Sequence, residues 1–303
     1  MKTFRTYHDY LEHDEGVFEL VTSPLADTVE VSIVGDTAIV GYLTLDNYPQ
    51  NPLDYDGMGS IYSSHRDYSD QHRPMQDALG LDADWNPALG DLYDTEEFKA
   101  HVKECLERMQ RAASHATVRV ELDYEKGYDD GYLNCFYAKT RRDYFFELDF
   151  CRDSVNITYR KRTHEITRKD LILLWRECRN NGTIGHRYVV SLDVYQHSGI
   201  VYSVHGEGTQ CMWDTAHGGA VWVPDHICQE TIDAAEDPSQ RAEELAREAC
   251  RVYTDYCNGY CYCVHGEKFT KKKDDWIRIA DESCGGYFSD DVKEALKEVM
   301  EGI

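Results

Sequence analysis

Basic residues are scarce in this chain: 32 Lys and Arg stand against 56 Asp and Glu, a formal net charge of −24 over 303 residues. That deficit argues against direct binding of nucleic acid or of an anionic membrane, because phosphates repel a negative surface. No apolar run approaches the ~18–20 residues of a membrane span. Met1–Tyr10 holds no apolar stretch that reads as a secretion signal, so the expectation is a soluble protein of the cytoplasm. No Pro/Ser-rich linker, internal repeat or low-complexity tract marks the chain. It also lacks G-x-x-x-x-G-K-[ST], G-x-G-x-x-G opening a helix, G-x-S-x-G and H-E-x-x-H, the simplest signatures of phosphate binding, acyl transfer and zinc proteolysis. Apolar and aromatic content is nevertheless ample for a core, which excludes a disordered acidic tail.

Cysteine is present but badly spaced for metal. Eleven cysteines, an odd number, suggest reduced thiols. Cys257, Cys261 and Cys263, with Cys284 further on, are the weak candidates for zinc, which needs four ligands at tetrahedral reach. No C-x-x-C pair is followed by a second such pair. Cys261 and Cys263 alternate with Tyr260, Tyr262 and Val264 in a strand-like run, so both point to one face. Buried thiols acting as small apolar groups explain this equally well. No metal and no cofactor is therefore expected.

The acid sits at both ends. Residues 1–60 carry −9 and residues 61–100 carry −6, residues 101–160 carry −1 and 161–200 carry +3, and residues 201–303 return to −11. The patterning predicts an α+β fold with mostly antiparallel sheets and several flanking helices. Strands are expected at 17–21, 29–34, 38–45, 117–124, 132–139, 144–150, 154–159, 188–195, 199–204 and 219–223. A hairpin is expected from 258–265 and 276–280 around the Lys271–Lys273 tip. Helices are expected at 96–113 behind Asp94 or Thr95, at 167–178 ended by Asn180-Asn181-Gly182, at 238–253 behind an Asp237 cap, and at 290–300. Asp46–Gly90 reads as one long irregular loop, and such loops are often binding surfaces. The expected division is an acidic N-terminal α+β region over 1–165 that carries this loop, and a C-terminal α+β domain over 166–303.

Histidine is plentiful, at 13. The pairs His65/His72 and His197/His205 could meet acids such as Asp67 and Asp214. Without a motif, packed or surface histidines are the plainer account, and no catalytic residue is assigned. The most distinctive stretch runs Asp193–Ile200, Cys211–Thr215 and Gly218–Val223. Turn chemistry at Asp214 and a buried pair, Trp213 and Trp222, account for it; a ligand bound near Asp214 is the competing account.

Several blocks carry a resemblance. Tyr195-Gln196-His197-Ser198-Gly199-Ile200, Cys211–Asp214 and Gly218–Val223 resemble a phage- and plasmid-borne accessory protein family with a YDHSGI-like strand followed by C-P-W-D-S-G-Q-V-G. Tyr253–Tyr260, which holds Asp255 and Gly259, is similar to its Y-D-x-Y-L-x-G-x-V-Y. Asp281–Phe288, which holds Gly285, is similar to its D-S-C-x-G-F-x-G. Asn51-Pro52 and Asp56-Gly57-Met58-Gly59 resemble its N-P-R-x-x-x-D-N-x-G. Met212 stands where the family has proline, and His217-Gly218 where it has G-Q. The resemblance transfers no catalytic residue; Trp213, Asp214, Trp222, Asp255, Gly259 and Gly285 carry over as structural positions only. It implies a mobile-element accessory gene, a class that commonly counters host immunity. Size and acidity are further similar to those of phage inhibitors of the Gabija nuclease–helicase defence.

Together these readings predict a phage-encoded anti-defence protein in the host cytoplasm rather than an enzyme. Its acidic surface, imitating the phosphate spacing of DNA, would bind a host DNA-targeting nuclease complex and block DNA binding or cleavage. The expected contact residues are Asp46, Tyr48, Asp54, Tyr55, Asp56, Tyr62, Asp67, Tyr68 and Asp70, since tyrosine suits interfaces. A homo-oligomer is expected, because multivalency favours binding to a symmetric complex. The alternative is a metal-assisted enzyme acting on a nucleotide signal or nucleic acid, with Asp54, Asp56, His65 and Asp67 as ligands.

Overall fold

The computed structural model describes residues 2–4, 18–25, 28–114, 135–138, 144–151, 154–159 and 162–303. The expected strand at 117–124 lies outside these residues, as does part of that at 132–139. The fold is α+β, and every strand pair with a described register is antiparallel. In chain order, β1 (Lys2–Phe4), β2 (Val29–Val34), β3 (Thr37–Leu45) and β4 (Ser60–Ser63) come first. They precede α1 (Ser69–Leu79), α2 (Leu89–Leu92) and α3 (Glu96–Ser114). Next are β5 (Cys135–Ala138), β6 (Tyr144–Phe150), β7 (Ser154–Tyr159), β8 (Arg162–Thr167) and α4 (Arg168–Asn181). The remainder is β9 (Val190–Gln196), β10 (Ile200–Val204), β11 (Thr215–Val223), α5 (His226–Asp233), α6 (Pro238–Cys257), β12 (Cys261–Lys272), β13 (Asp275–Phe288) and α7 (Val292–Gly302). The described residues at 18–21 are not in a strand.

These elements form two compact units, but the division near 165 does not stand. Unit 1 joins Met1–Ile61 to Val190–Ile303, and unit 2 is the intervening Tyr62–Val189. The cause is strand pairing at long range. β3 lies against β12, with Gly41 opposite Gly266 and Leu43 opposite Val264. Local composition carries no trace of a pairing between residues this far apart in sequence.

Unit 2 holds the sheet β5-β6-β7-β8. Its core gathers Leu92, Phe98, Val102 and Leu106 with Leu148, Val155, Ile157, Ile166 and Leu171. The apolar spacing of α3 is the source of the first set, and Thr95 starts that helix by accepting the Phe98 N–H at 3.2 Å. Thr167 and Asp170 form a reciprocal capping box at the head of α4, and left-handed Gly182 ends it. The expected irregular segment 46–90 is not one loop. It is split between the units at 61/62, and it contains α1, whose buried Met75 and Ala78 face inward although the helix carries Pro74 and many polar groups.

Unit 1 holds two sheets, β1-β2-β3-β12-β13 and β10-β9-β11-β4, the chain leaving the unit within β4. The first sheet supports α7. Leu296, Val299 and Met300 pack on Leu43 and Val264, and the glycine pair Gly41 and Gly266 opens the room. A Cβ on Gly266 would lie 2.7 Å from Val299 Cγ1, and one on Gly41 would strike the Met300 thioether. The second sheet supports α6, which buries Ala242, Ala246, Ala249 and Cys250. Asp237 caps α6 through the Gln240 N–H at 3.0 Å, with Pro238 in the first position as the sequence predicts.

Candidate functional site

Charge separates sharply between the units. Unit 1 contains 12 basic and 33 acidic residues, a net −21; unit 2 contains 20 and 23, a net −3. Nearly the whole acid surplus therefore belongs to one compact body. The expected contact residues divide as well. Asp46, Tyr48, Asp54, Tyr55 and Asp56 belong to unit 1, and Tyr62, Asp67, Tyr68 and Asp70 to unit 2.

Unit 1 also presents large apolar groups to solvent. Tyr48 is 95% exposed, Trp213 84% and Met212 78%, with Tyr260 and Leu45 about half exposed. A chain of contacts links them. Asp214, next to Trp213, faces His197 at 3.5 Å. Gly199, in the turn after His197, sits against Asn258, which accepts the Ile200 N–H at 3.1 Å and donates to Ile200 O at 2.7 Å. Tyr260 follows two residues on, and Cys261 O accepts the Asp46 N–H at 2.9 Å at the end of β3. Asp46 in turn accepts the Tyr48 N–H at 3.0 Å. Tyr55 is 48% exposed, its hydroxyl donating to Gln50 at 3.2 Å, beside exposed Asp54 and Asp56. In unit 2, Tyr68 is 38% exposed with its ring near His65, Tyr62 is partly buried, and Asp70 opens α1.

The structure corrects the reading of the tryptophans. Trp222 is fully buried and donates from Nε1 to Met58 O at 2.8 Å, whereas Trp213 is not its buried companion. Trp213 precedes β11 in a tight turn that Thr215 closes, its Oγ1 accepting the Cys211 N–H at 3.0 Å. That turn leaves the indole in solvent. The front and rear blocks meet at Trp222. Asp225, the cap of α5, accepts the N–H groups of Gly57 at 2.7 Å, Gly59 at 3.1 Å and Cys228 at 2.8 Å. Burial pulls its carboxyl upward, but those three donors outweigh it and hold it below the usual carboxylate range. Asp255 accepts the Ser289 N–H at 3.1 Å, left-handed Gly259 turns the chain out of α6, and Gly285 lies close beside Asp46 and Cys263.

The second feature was not foreseen. Asp193, on β9, is 1% exposed and is the acceptor at the centre of a cluster. Oδ1 accepts the Gly218 N–H at 2.9 Å and lies 2.7 Å from His205 Nδ1. Oδ2 accepts from Gly206 N at 2.9 Å and Gln210 Nε2 at 3.1 Å, and lies 3.4 Å from His217 Nδ1. Burial pushes the carboxyl up, yet the donors of Gly206, His205, Gly218 and Gln210 together hold it well below the usual range. A bulge makes this possible. β11 pairs Ala216 with Val194 and Ala220 with Leu192, so the residues between them leave the ladder, and Gly218, at φ 63°, aims its N–H at the carboxylate. His205 and His197 do not act as a pair: His205 serves Asp193, and His197 serves Asp214. The overlooked signal is an acid inside the apolar run Leu192-Asp193-Val194, followed by His-Gly twice, at 205–206 and 217–218.

Among the described residues, Asp193, His205 and His217 are the one group of three or more His, Cys, Asp or Glu whose ligand atoms converge. Cys257, Cys261, Cys263 and Cys284 do not bring three sulfurs to one point, nor do Asp54, Asp56 and His65 converge. The side chain of Asp67 lies outside the described residues. Among the described residues no helix is long and apolar enough to cross a membrane. Comparison of the chain with protein-family models, with curated proteins and with solved structures finds no match.

Proposed function

We propose that this protein is a non-enzymatic anti-defence protein of a phage or plasmid, which docks on a host DNA-targeting nuclease complex in the cytoplasm and blocks DNA binding or cleavage. The observation that carries the reading is the concentration of −21 of the net charge in unit 1, the unit that also exposes Tyr48, Met212 and Trp213. A basic DNA channel attracts such a body at long range. Exposed aromatic and thioether groups supply the apolar anchors that dominate interface energetics. Carboxylates merely keeping the protein soluble would not require exposed apolar side chains beside them. The mobile-element origin rests on the resemblance of the blocks at 51–59, 195–223, 253–260 and 281–288. A symmetric assembly of several copies fits the same role, and light scattering measures it.

The test is cleavage by purified host nuclease complexes, with and without this protein, at two salt concentrations. Inhibition that weakens as salt rises, and that falls further in Met212→Ala/Trp213→Ala with the fold intact, is expected. Unchanged cleavage at low salt across a panel of defence complexes refutes the proposal. A metal-assisted enzyme is the competing reading, favoured by Asp193, His205 and His217. Protein stripped of metal that inhibits as well as untreated protein argues against it.

A further inference from the structure

We propose that Asp193, His205 and His217 form an open site for one divalent transition-metal ion of the zinc class. Hydrogen-bond accounting is the starting point. A carboxylate offers about four lone-pair positions. Gly218 N, Gly206 N and Gln210 Nε2 occupy three of them, and His205 Nδ1 at 2.7 Å takes the fourth. His217 Nδ1 is a fifth group on the same carboxylate. At 3.4 Å its bond to Oδ2 is long, and its ring stands edge-on to that of His205 with centroids 6.2 Å apart.

Two ligands bound at about 2.0–2.1 Å with tetrahedral angles stand about 3.3 Å apart. His205 Nδ1, 2.7 Å from Oδ1, needs to withdraw by about 0.6 Å to reach that figure, and His217 Nδ1 stands beside the same carboxylate, 3.4 Å from Oδ2. The ligand atoms of the three residues all lie within 4.8 Å of one another. Two imidazoles and one carboxylate form a donor set for borderline ions such as Zn2+, Co2+ and Ni2+ rather than for Mg2+ or Ca2+.

Protons and charge balance on loading. His205 gives up its Nδ1 proton to solvent and holds one at Nε2, so that it and His217 meet the ion as neutral Nε2–H imidazoles through their Nδ1 lone pairs, and the Oδ1 position that the His205 N–H vacates turns to the ion as well. Oδ1 keeps Gly218, and Oδ2 keeps Gly206 and Gln210, which fix the carboxylate as outer partners fix ligands elsewhere. The −21 of unit 1 raises the local cation concentration. Both imidazoles are about half exposed, so the further coordination positions open to water. This site is independent of the docking reading above.

The experiment is equilibrium dialysis of the full chain against Zn2+ with elemental analysis, paired with the visible absorption of a Co2+-loaded sample. One ion per chain is expected. His205→Ala and His217→Ala should each weaken binding on the order of tenfold or more and shift or erase the Co2+ bands, with circular dichroism unchanged. Both histidines are half exposed, so these variants keep the fold. Asp193→Asn is the harsher variant, because it disturbs the carboxylate that gathers two backbone N–H groups. Failure to bind Zn2+ at 100-fold molar excess overturns the proposal. So does binding that both histidine variants leave unchanged, which would place the ion on other histidines or cysteines.

Discussion

Replacing Tyr42 by phenylalanine isolates one buried polar contact without changing shape. Tyr42 is fully buried on β3, and its hydroxyl donates to Glu267 Oε1 at 2.6 Å. Glu267, 1% exposed on β12, also accepts the Val21 N–H at 2.8 Å and Arg278 Nη1 at 3.1 Å. The phenylalanine variant deletes a bond to a charged acceptor, worth about 1.5–3 kcal/mol. Thr22, which donates to the same hydroxyl from N and Oγ1, is exposed, and water replaces its lost acceptor. The expected loss is therefore about 2 kcal/mol, read as a shift in the urea midpoint followed by circular dichroism. A Thr22→Ala control should stay within about 0.5 kcal/mol. Burial first, and then the Glu267 carboxylate, push the Tyr42 phenol from 10.0 up to about 12. The folded state thus holds this proton more tightly than the unfolded one. The corresponding stability is fully present below pH 10 and is lost as pH rises toward about 12; the variant lacks this alkaline loss. A Tyr42→Phe midpoint matching that of the parent would refute the reasoning, because it would mean that Glu267 is as well satisfied without the hydroxyl.

Gly266→Ala places a methyl 2.7 Å from Val299 Cγ1, so α7 must lift, and thermal or urea unfolding should show a loss of about 1–3 kcal/mol. Asn258→Ala removes the double link to Ile200 and the bond to Thr254 O at 2.7 Å, and should cost about 2 kcal/mol in the same assay. Asp225 titrates below the usual range in the folded state. Its contribution is complete above the ordinary carboxylate pKa and disappears as pH falls through the lower folded value. Asp225→Asn should accordingly be less stable than the parent at pH 7, with the difference shrinking in acid.

Legibility in the sequence followed the range of the interactions. Local signals placed most elements: the caps at Thr95 and Asp237, the helix end within Asn180-Asn181-Gly182, and the Lys271–Lys273 hairpin tip, where Lys273 takes a left-handed φ of 58°, while Thr167, expected inside its helix, is the cap. The division into units was hidden, because it depends on β3 meeting β12. α1 was hidden by its polarity, since only a few of its side chains face inward. The blocks that carry the family resemblance are largely scaffold contacts. Asp225 and Trp222 hold Gly57–Gly59, and Asn258 holds Gly199 and Ile200. Asp214 stands out in the sequence because it follows a tryptophan, yet the acid that gathers the most donors is Asp193. Its role depends on the bulge in β11, which no local pattern announces.

The uneven charge of the two units gives the docking proposal a kinetic signature that solubility alone lacks. Attraction to a basic channel acts at long range and is screened over a Debye length of about 8 Å at physiological ionic strength. Contacts made by Trp213, Met212 and Tyr48 act only after the surfaces touch, and salt hardly weakens them. Charge should therefore appear in the association rate and the exposed aromatic groups in the dissociation rate. Raising salt should slow association and leave dissociation nearly constant, while Trp213→Ala should do the reverse. A protein whose −21 only keeps copies apart would show neither dependence toward a basic partner. Surface plasmon resonance at several salt concentrations, with the parent and Trp213→Ala side by side, resolves the two rates, and an association rate indifferent to salt removes the electrostatic basis of the docking model.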